Sequence, residues 1–237
     1  MELDVRDVAV EEEYQIRKVA ETENEVKVQR KSKLGYRVIK RAFDIVSTLF
    51  ALILLSPVFL IVSILIKTDD KGPVIFKHNR VGKNGKVFSV YKFRSMKVGA
   101  DKIEDFLSPE QLEEYKKEFK LDNDPRITKI GNLLRKTSLD ELPQLMNILK
   151  GEMSVIGPRP ILDNEFKYYT AEEKALILSL KPGLTGYWQA YARNDATYET
   201  GERQKMELYY AENASVWLDI KILFKSVVSV VCRKGAK

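Results

Sequence analysis

A run of twenty-two residues without a charge, Ile45 to Ile66, is interrupted at its middle by Ser56-Pro57. As a helix rising about 1.5 Å per residue the run measures ~33 Å, against ~30 Å for the hydrocarbon core of a bilayer. Length therefore marks it as a membrane segment. Pro57 has no backbone N–H and its ring crowds the carbonyl of Ile53, so a kink is predicted there, with Ser56 placed to satisfy a freed backbone group. Lys33, Arg37, Lys40 and Arg41 precede the run, and Lys67, Lys71, Lys77 and Arg80 follow it. The positive-inside tendency thus asks for both ends on the cytoplasmic side. A bent, re-entrant helix with its apex near Ser56-Pro57 meets that demand, and a single span with a proline kink is the alternative. The apolar core is too long and begins too late for a cleaved secretory signal, and no small-residue cleavage site follows it.

Behind this segment there is enough of the 237-residue chain for a core of one domain or two small ones. The formal charge is +6, but residues 1–32 hold nine Asp/Glu against six Lys/Arg, which leaves about +9 on the rest. Such a balance suits anionic lipid head groups or phosphorylated ligands, and on charge alone also nucleic acid. The lone cysteine, Cys232, excludes an internal disulfide and a cysteine-based zinc site, and the reducing cytoplasm is the natural compartment. The lone histidine, His78, has no second histidine with which to build a metal site and reads as a surface or packing residue.

The expected organisation is a polar tail over 1–32, a re-entrant membrane helix over 33–67 and a cytoplasmic domain over 68–237. In that domain Val74-Ile75-Phe76, a Gly82-Lys83-Asn84-Gly85 turn and Lys86 to Arg94 predict a β-hairpin, because Asn-Gly favours a tight primed turn. Ser108-Pro109-Glu110-Gln111 opens a helix, with serine as cap and glutamine positioned to reach back. Val216 to Val228 is apolar on most of its turn and has Trp217 at one end, but Asp219, Lys221 and Lys225 are too close together for a span. It predicts a helix lying on a membrane surface, with a core helix as the alternative.

The chemistry concentrates between Arg135 and Arg159. Ser138-Leu139-Asp140-Glu141 has the spacing of a capping box, with Ser138 as cap and Glu141 reaching back. Around it stand Arg135, Lys136, Pro143 and Gly157-Pro158-Arg159-Pro160. Carboxylates at a helix start are held ionised by the backbone dipole, and free N–H groups there attract phosphate. Neighbouring helix residues point about a hundred degrees apart. One carboxylate can then attack phosphorus while the other holds Mg²⁺, an ion that favours hard oxygen ligands and bridges to substrate phosphate. Arg135 and Arg159 are suited to neutralising charge on phosphoryl oxygens.

The ordered series Lys40-Arg41-x-Phe43-Asp44, Ser56-Pro57, Tyr91-Lys92-Phe93-Arg94-Ser95-Met96, Ser138-Leu139-Asp140-Glu141-Leu142-Pro143-Gln144, Gly157-Pro158-Arg159-Pro160 and Lys181-Pro182-Gly183-Leu184-Thr185-Gly186 closely resembles the bacterial sugar transferases, the small monotopic phosphoglycosyl transferases. The resemblance covers about Lys33 to Lys237. It implies an α+β fold: a helix-rich cytoplasmic domain with a small β-hairpin, an N-terminal re-entrant membrane helix and amphipathic interfacial helices. It also implies a two-step transfer in which Asp140 attacks the β-phosphate of a UDP-sugar, releases UMP and keeps the sugar phosphate as an acyl phosphate. A polyprenyl phosphate, usually undecaprenyl phosphate, then takes the sugar phosphate. By the same match Glu141 is the Mg²⁺ ligand, Arg135 and Arg159 contact phosphates, and Pro158 and Pro160 shape the nucleotide pocket. Lys92, Arg94 and Arg193 complete the expected substrate-binding set.

The chain departs from the usual pattern at two places. Gln189-Ala190-Tyr191-Ala192-Arg193-Asn194 stands where many relatives have Gln-Val-Asn-Gly-Arg, in a region expected near the sugar, and Glu207 replaces a frequent aspartate before Tyr209-Tyr210. The expected partners are UDP-sugar, polyprenyl phosphate and the cytoplasmic membrane, with pairing of the chain with itself left open. A scaffold in which Asp140 and Glu141 only cap a helix, and a membrane-tethered nucleic-acid binder, are the rival classes. Neither explains the ordered motifs, and nucleic acid is not an expected partner.

Overall fold

The computed structural model describes residues 34–118, 121, 123–192 and 200–231. The polar tail 1–32, Arg193 and Cys232 lie outside the described residues. In chain order the elements are α1 (Leu34–Asp70), β1 (Ile75–Val81), β2 (Val87–Phe93), α2 (Pro109–Glu118), α3 (Lys129–Thr137), α4 (Gln144–Lys150), β3 (Ser154–Ile156), α5 (Ala171–Leu178), β4 (Gly183–Thr185), α6 (Tyr187–Ala192), α7 (Glu202–Asn213) and α8 (Val216–Val231). The fold is helix-rich, with β1 and β2 in one two-stranded sheet and β3 and β4 in another.

Helix α1 is long and apolar enough to cross a membrane. The helix continues through Pro57, and Ser56 Oγ donates to Ile53 O at 2.8 Å, the carbonyl that proline leaves without its usual donor. Val46, Leu49, Phe50, Ile53, Leu54, Leu60, Ile61 and Ile64 are exposed, an apolar surface that water does not reward.

The hairpin forms as its turn residues dictate. Asn84 and Gly85 both take positive φ, 56° and 70°, and Lys86 N–H donates to Lys83 O at 3.3 Å. That is the backbone a primed turn requires, and glycine and asparagine reach it at least cost. Strand β1 runs on to Val81, beyond the Val74-Ile75-Phe76 stretch that the sequence marks as strand. Ser108 and Gln111 cap α2 reciprocally as expected, with Ser108 N–H donating to Gln111 Oε1 at 3.1 Å and Gln111 N–H to Ser108 Oγ at 3.3 Å.

The contacts divide the chain into two compact units. One takes α1 as far as Ala51, His78–Val90 and the chain from Gln144 onward. Its parallel β3–β4 pair aligns Ser154 with Gly183 and Ile156 with Thr185. A Cβ on Gly183 would lie 2.1 Å from Gly157 N, so glycine is what lets the two backbones approach this closely. One core cluster joins Val81, Ile161, Phe166, Ile177, Leu178 and Ala211, and another joins Ile156, Ala190, Tyr210 and Ile222. Ile222 therefore buries one face of α8, while Trp217, Phe224, Val227 and Val228 leave the other face apolar and exposed. Tyr36, Lys40 and Tyr210 all bond to the Asp219 carboxylate, at 2.9, 2.7 and 2.7 Å, which ties α8 to the start of α1.

The second unit takes Leu52–Lys77 and Tyr91–Pro143. Val62 and Ile66 of α1 pack with Phe93 and Leu134, and Val58, Phe59, Leu139 and Leu142 surround them. Phe59 and Phe93 rings meet at 5.3 Å between centroids. Arg94 pairs with both oxygens of Asp70 and donates Nε to Pro73 O at 2.6 Å, fastening the end of α1. Gly131 lets α3 press on the preceding chain, since a Cβ there would sit 1.8 Å from Ser95 O.

Candidate active site

Thr128 caps α3 by accepting from Gly131 N–H at 2.9 Å, and the helix ends where Ser138 adopts a left-handed conformation, φ 57° and ψ 18°. The Ser138 N–H then returns to Arg135 O at 3.2 Å. This reversal starts a three-residue 3₁₀ turn, Leu139–Glu141, whose flanking leucines belong to the core of this unit. The capping-box reading of Ser138 is corrected here, because its side chain makes no capping bond and its backbone serves as the C-terminal cap of α3. Apolar anchoring by Leu134, Leu139 and Leu142 fixes the turn instead.

The reversal holds Asp140 inward, 8% exposed, while Glu141 faces outward beside Lys92. Lys92 comes from β2, whose Phe93 points into the core, and its Nζ donates to Glu141 Oε1 at 2.8 Å. Arg135 donates Nε to Ser95 Oγ at 2.9 Å. Burial pushes the Asp140 carboxyl above its ordinary 3.8; Lys92 opposes the rise most strongly, Glu141 adds to it and Arg135 opposes it. The shift is upward although Asp140 stands at the start of a helical turn. A three-residue turn has little dipole to offer, and desolvation outweighs it. Among the described residues Asp140 makes no ion pair, so one carboxylate stays free of a partner cation while its neighbour takes one.

This unit therefore brings together Asp140, Glu141, Lys92 and Arg135. Arg94 belongs to the same unit, but its contacts are with Asp70 and Pro73. Ser56 and Pro57 stand in the α1 portion of this unit. Two adjacent carboxylates, one of them outward and reachable, fit a Mg²⁺ ion that takes a carboxylate, waters and substrate phosphate together. No cluster of three or more His, Cys, Asp or Glu able to hold a metal by itself occurs among the described residues.

The other unit carries Pro158, Arg159 and Pro160 directly after β3. Pro158 O accepts from Gly183 N–H at 2.7 Å, and Arg159 N–H is shared by both oxygens of Glu207 at 3.2 Å each. Pro158 and Arg159 line a small cleft with Gly82 and Pro182. Glu207 is 3% exposed, and burial raises its carboxyl from the ordinary 4.5 to about 7, with the Arg159 N–H, Arg203 and Arg159 pulling the other way. Its hold on the Arg159 backbone is a role that sequence reasoning missed; the signal was its place among the family-like residues before Tyr209-Tyr210. Asp44 is a second such residue. Its Oδ1 accepts from Ser154 Oγ and Val155 N–H, both at 2.9 Å, and so steadies the strand that leads into Gly157-Pro158-Arg159-Pro160.

The profile of the family described as bacterial sugar transferase matches residues 35–233. The chain is 48% identical over 208 residues to an uncharacterized sugar transferase of Haemophilus influenzae, and 45% identical over 208 residues to an undecaprenyl-phosphate galactose phosphotransferase of Salmonella typhimurium. Each alignment covers 86% of this chain and 43% of the relative, so the chain spans under half the length of these two proteins. The exopolysaccharide production protein ExoY of Rhizobium meliloti is 44% identical over 200 residues, 83% of this chain and 87% of that protein. With a profile match over most of its length and a relative of this identity covered almost throughout, the chain belongs to the bacterial sugar transferase family.

Proposed function

We propose that this chain transfers a sugar 1-phosphate from a UDP-sugar to a polyprenyl phosphate, undecaprenyl phosphate in bacteria, and so begins an exopolysaccharide, capsule or glycoconjugate. The observation that carries the reading is Asp140: a buried carboxylate that makes no ion pair among the described residues, beside a half-buried carboxylate and two cations. In the first step an Asp140 carboxylate oxygen attacks the β-phosphorus, the bond from that phosphorus to the bridging oxygen breaks, and UMP leaves with the electron pair. In the second step an oxygen of the polyprenyl phosphate attacks the same phosphorus, and Asp140 leaves as the carboxylate it was. Atoms and charge balance without an added proton donor. Lys92 and Arg135 offset negative charge gathered beside Asp140, which favours its reactive, ionised form. Glu141 is the carboxylate that would hold Mg²⁺, whose charge, when bound, neutralises the diphosphate. Arg159, with its backbone fixed by Glu207, is assigned to the donor phosphates, Pro158 and Pro160 to the nucleotide pocket and Arg193 to the sugar end.

The same reading puts the chain on the cytoplasmic membrane with its catalytic part on the cytoplasmic face, and α1 entering and leaving by that face. Its support is that α1 grips folded chain on both sides of Pro57. Before the uncharged run Lys40, Arg41 and Asp44 bind Asp219, the carbonyls of Ile148 and Leu149, and β3, while Val62 and Ile66 at the end of the run pack on Phe93 and Leu134 and Asp70 beyond it pairs with Arg94. The exposed apolar face of α8 then rests on lipid.

A panel of UDP-sugars with Mg²⁺ and no lipid acceptor tests the chemistry. The right donor should release about one UMP per site and leave a sugar phosphate on Asp140. An intact adduct on Asp140→Asn would remove the nucleophile from the account. For the membrane path, Gly35→Cys and Lys71→Cys, each in a Cys232→Ser background, should both label from the cytoplasmic side; labelling from opposite sides means a span.

A further inference from the structure

Four cations gather beside the start of α1, and none of them belongs to the residues assigned to the donor. Arg37 and Arg41 lie one turn apart on α1, just before the uncharged run begins at Ile45. Lys83 comes from the hairpin turn and Lys181 from the residues leading into β4, and both are half-buried. A Cβ on Gly151 would lie 3.3 Å from Lys181 Nζ and 3.5 Å from Arg41 Nη2, so these two charges share the space above that glycine. Lys83 feels the charge of Arg37, and Lys181 feels those of Arg41 and Lys83, so burial and like-charge repulsion both depress the two lysines.

Among the described residues little answers this charge. Arg41 donates to Ile148 O at 2.6 Å and Leu149 O at 2.8 Å, at the end of α4. Asp44 is the carboxylate that supports Lys181, and its Oδ1 already accepts from Ser154 and Val155. Among the described residues Arg37, Lys83 and Lys181 form no ion pair. Half-buried cations repelling one another cost folding free energy unless an anion joins them. Their place beside the entry of the membrane run says which anion is at hand, because the phosphates of lipid head groups lie at that height.

We propose that Arg37, Arg41, Lys83 and Lys181 form a receptor for the phosphate of a membrane lipid head group where α1 enters the bilayer. The inference rests on the membrane placement of α1 proposed above. Bound lipid phosphate neutralises the cluster and holds the start of α1, and with it β3, at a set height on the membrane.

The test uses the full chain in nanodiscs of phosphatidylcholine with a minor share of phosphatidylglycerol, extracted into mild detergent, with retained lipid counted by native mass spectrometry. The wild type should keep phosphatidylglycerol. Lys83→Met and Lys181→Met should each weaken retention about fivefold, and the double variant about 25-fold. Thermal midpoints should hold or rise in these variants, because repulsion is relieved, and the charge-preserving Lys83→Arg should retain lipid. Undiminished retention by the double variant would overturn the inference, as would a fallen midpoint in each methionine variant, which would make the lysines structural. Displacement of the lipid by inorganic phosphate at matched concentration would put the ligand in solution and overturn the lipid assignment. Flotation of the wild type on pure phosphatidylcholine vesicles reports the membrane placement separately. If the wild type floats and its lipid retention ignores the lysines, only the receptor falls.

Discussion

On the proposed function, Lys92→Met separates the electrostatic effect of the lysine on Asp140 from its contribution to stability. Its Nζ lies 2.8 Å from Glu141 Oε1, with side-chain exposures of 30% for Lys92 and 40% for Glu141. A pair this open to water contributes about 1 kcal/mol or less, which for a chain of this size is a thermal midpoint shift of about 4 °C at most. The effect on Asp140 is the functional one. Lys92 is the strongest influence opposing the upward push of burial on that carboxyl. Its loss should raise Asp140 further, moving the acid limb of UMP release to higher pH and slowing the rate on that limb. The sign for stability follows from the same raised value. A proton-bound Asp140 favours the fold fully below its unfolded pKa, and that advantage fades as pH rises through the folded value. The small cost of Lys92→Met should therefore appear near neutral pH and vanish in acid. Single-turnover UMP release against pH, run beside thermal melts, reads both quantities. An unmoved acid limb at full rate would refute the electrostatic reasoning, and a midpoint loss of tens of degrees would make Lys92 a structural residue.

Glu207→Gln should flatten the alkaline loss of stability: a rise from 4.5 to about 7 means that roughly 3 kcal/mol of folded-state advantage, complete below the unfolded value, is lost as pH passes 7. Melts on either side of neutrality should show wild type losing ground to the variant as pH rises, and parallel curves would contradict this. Gly131→Ala should lower the midpoint and abolish UMP release together, because its Cβ would meet Ser95 O at 1.8 Å and forcing the backbone apart costs about 1–3 kcal/mol; an unaffected melt would mean the contact is loose. Asp219→Asn should cost about 2–3 kcal/mol by weakening three bonds to Tyr36, Lys40 and Tyr210 and should speed proteolysis near α8, whereas wild-type protease resistance would leave α8 held by Ile222 packing alone.

Local physics made parts of this protein readable in advance. Asn84-Gly85 carries its turn conformation in its own backbone preferences, Ser108 and Gln111 cap α2 from within four residues, and Ser56 answers the carbonyl that Pro57 strands. Each interaction closes over a few residues, so spacing alone predicts it. Ser138 shows where that reasoning ends. Its spacing to Glu141 imitates a capping box, but Leu134, Leu139 and Leu142 needed burial against Phe93 and the second half of α1, and the chain reversed at Ser138 to achieve it.

By itself the sequence determined the apolar run, its proline break, the basic flanks and the ordered polar motifs that mark the family, because composition and spacing survive without coordinates. Tertiary structure alone decided that Asp140 turns inward while Glu141 meets Lys92, that Arg94 is engaged by Asp70, and that Glu207 holds the backbone of Arg159. Those outcomes depend on which groups from distant segments are buried together. Desolvation and Coulomb energy are set by distance and surroundings in space, which no local pattern of residues encodes.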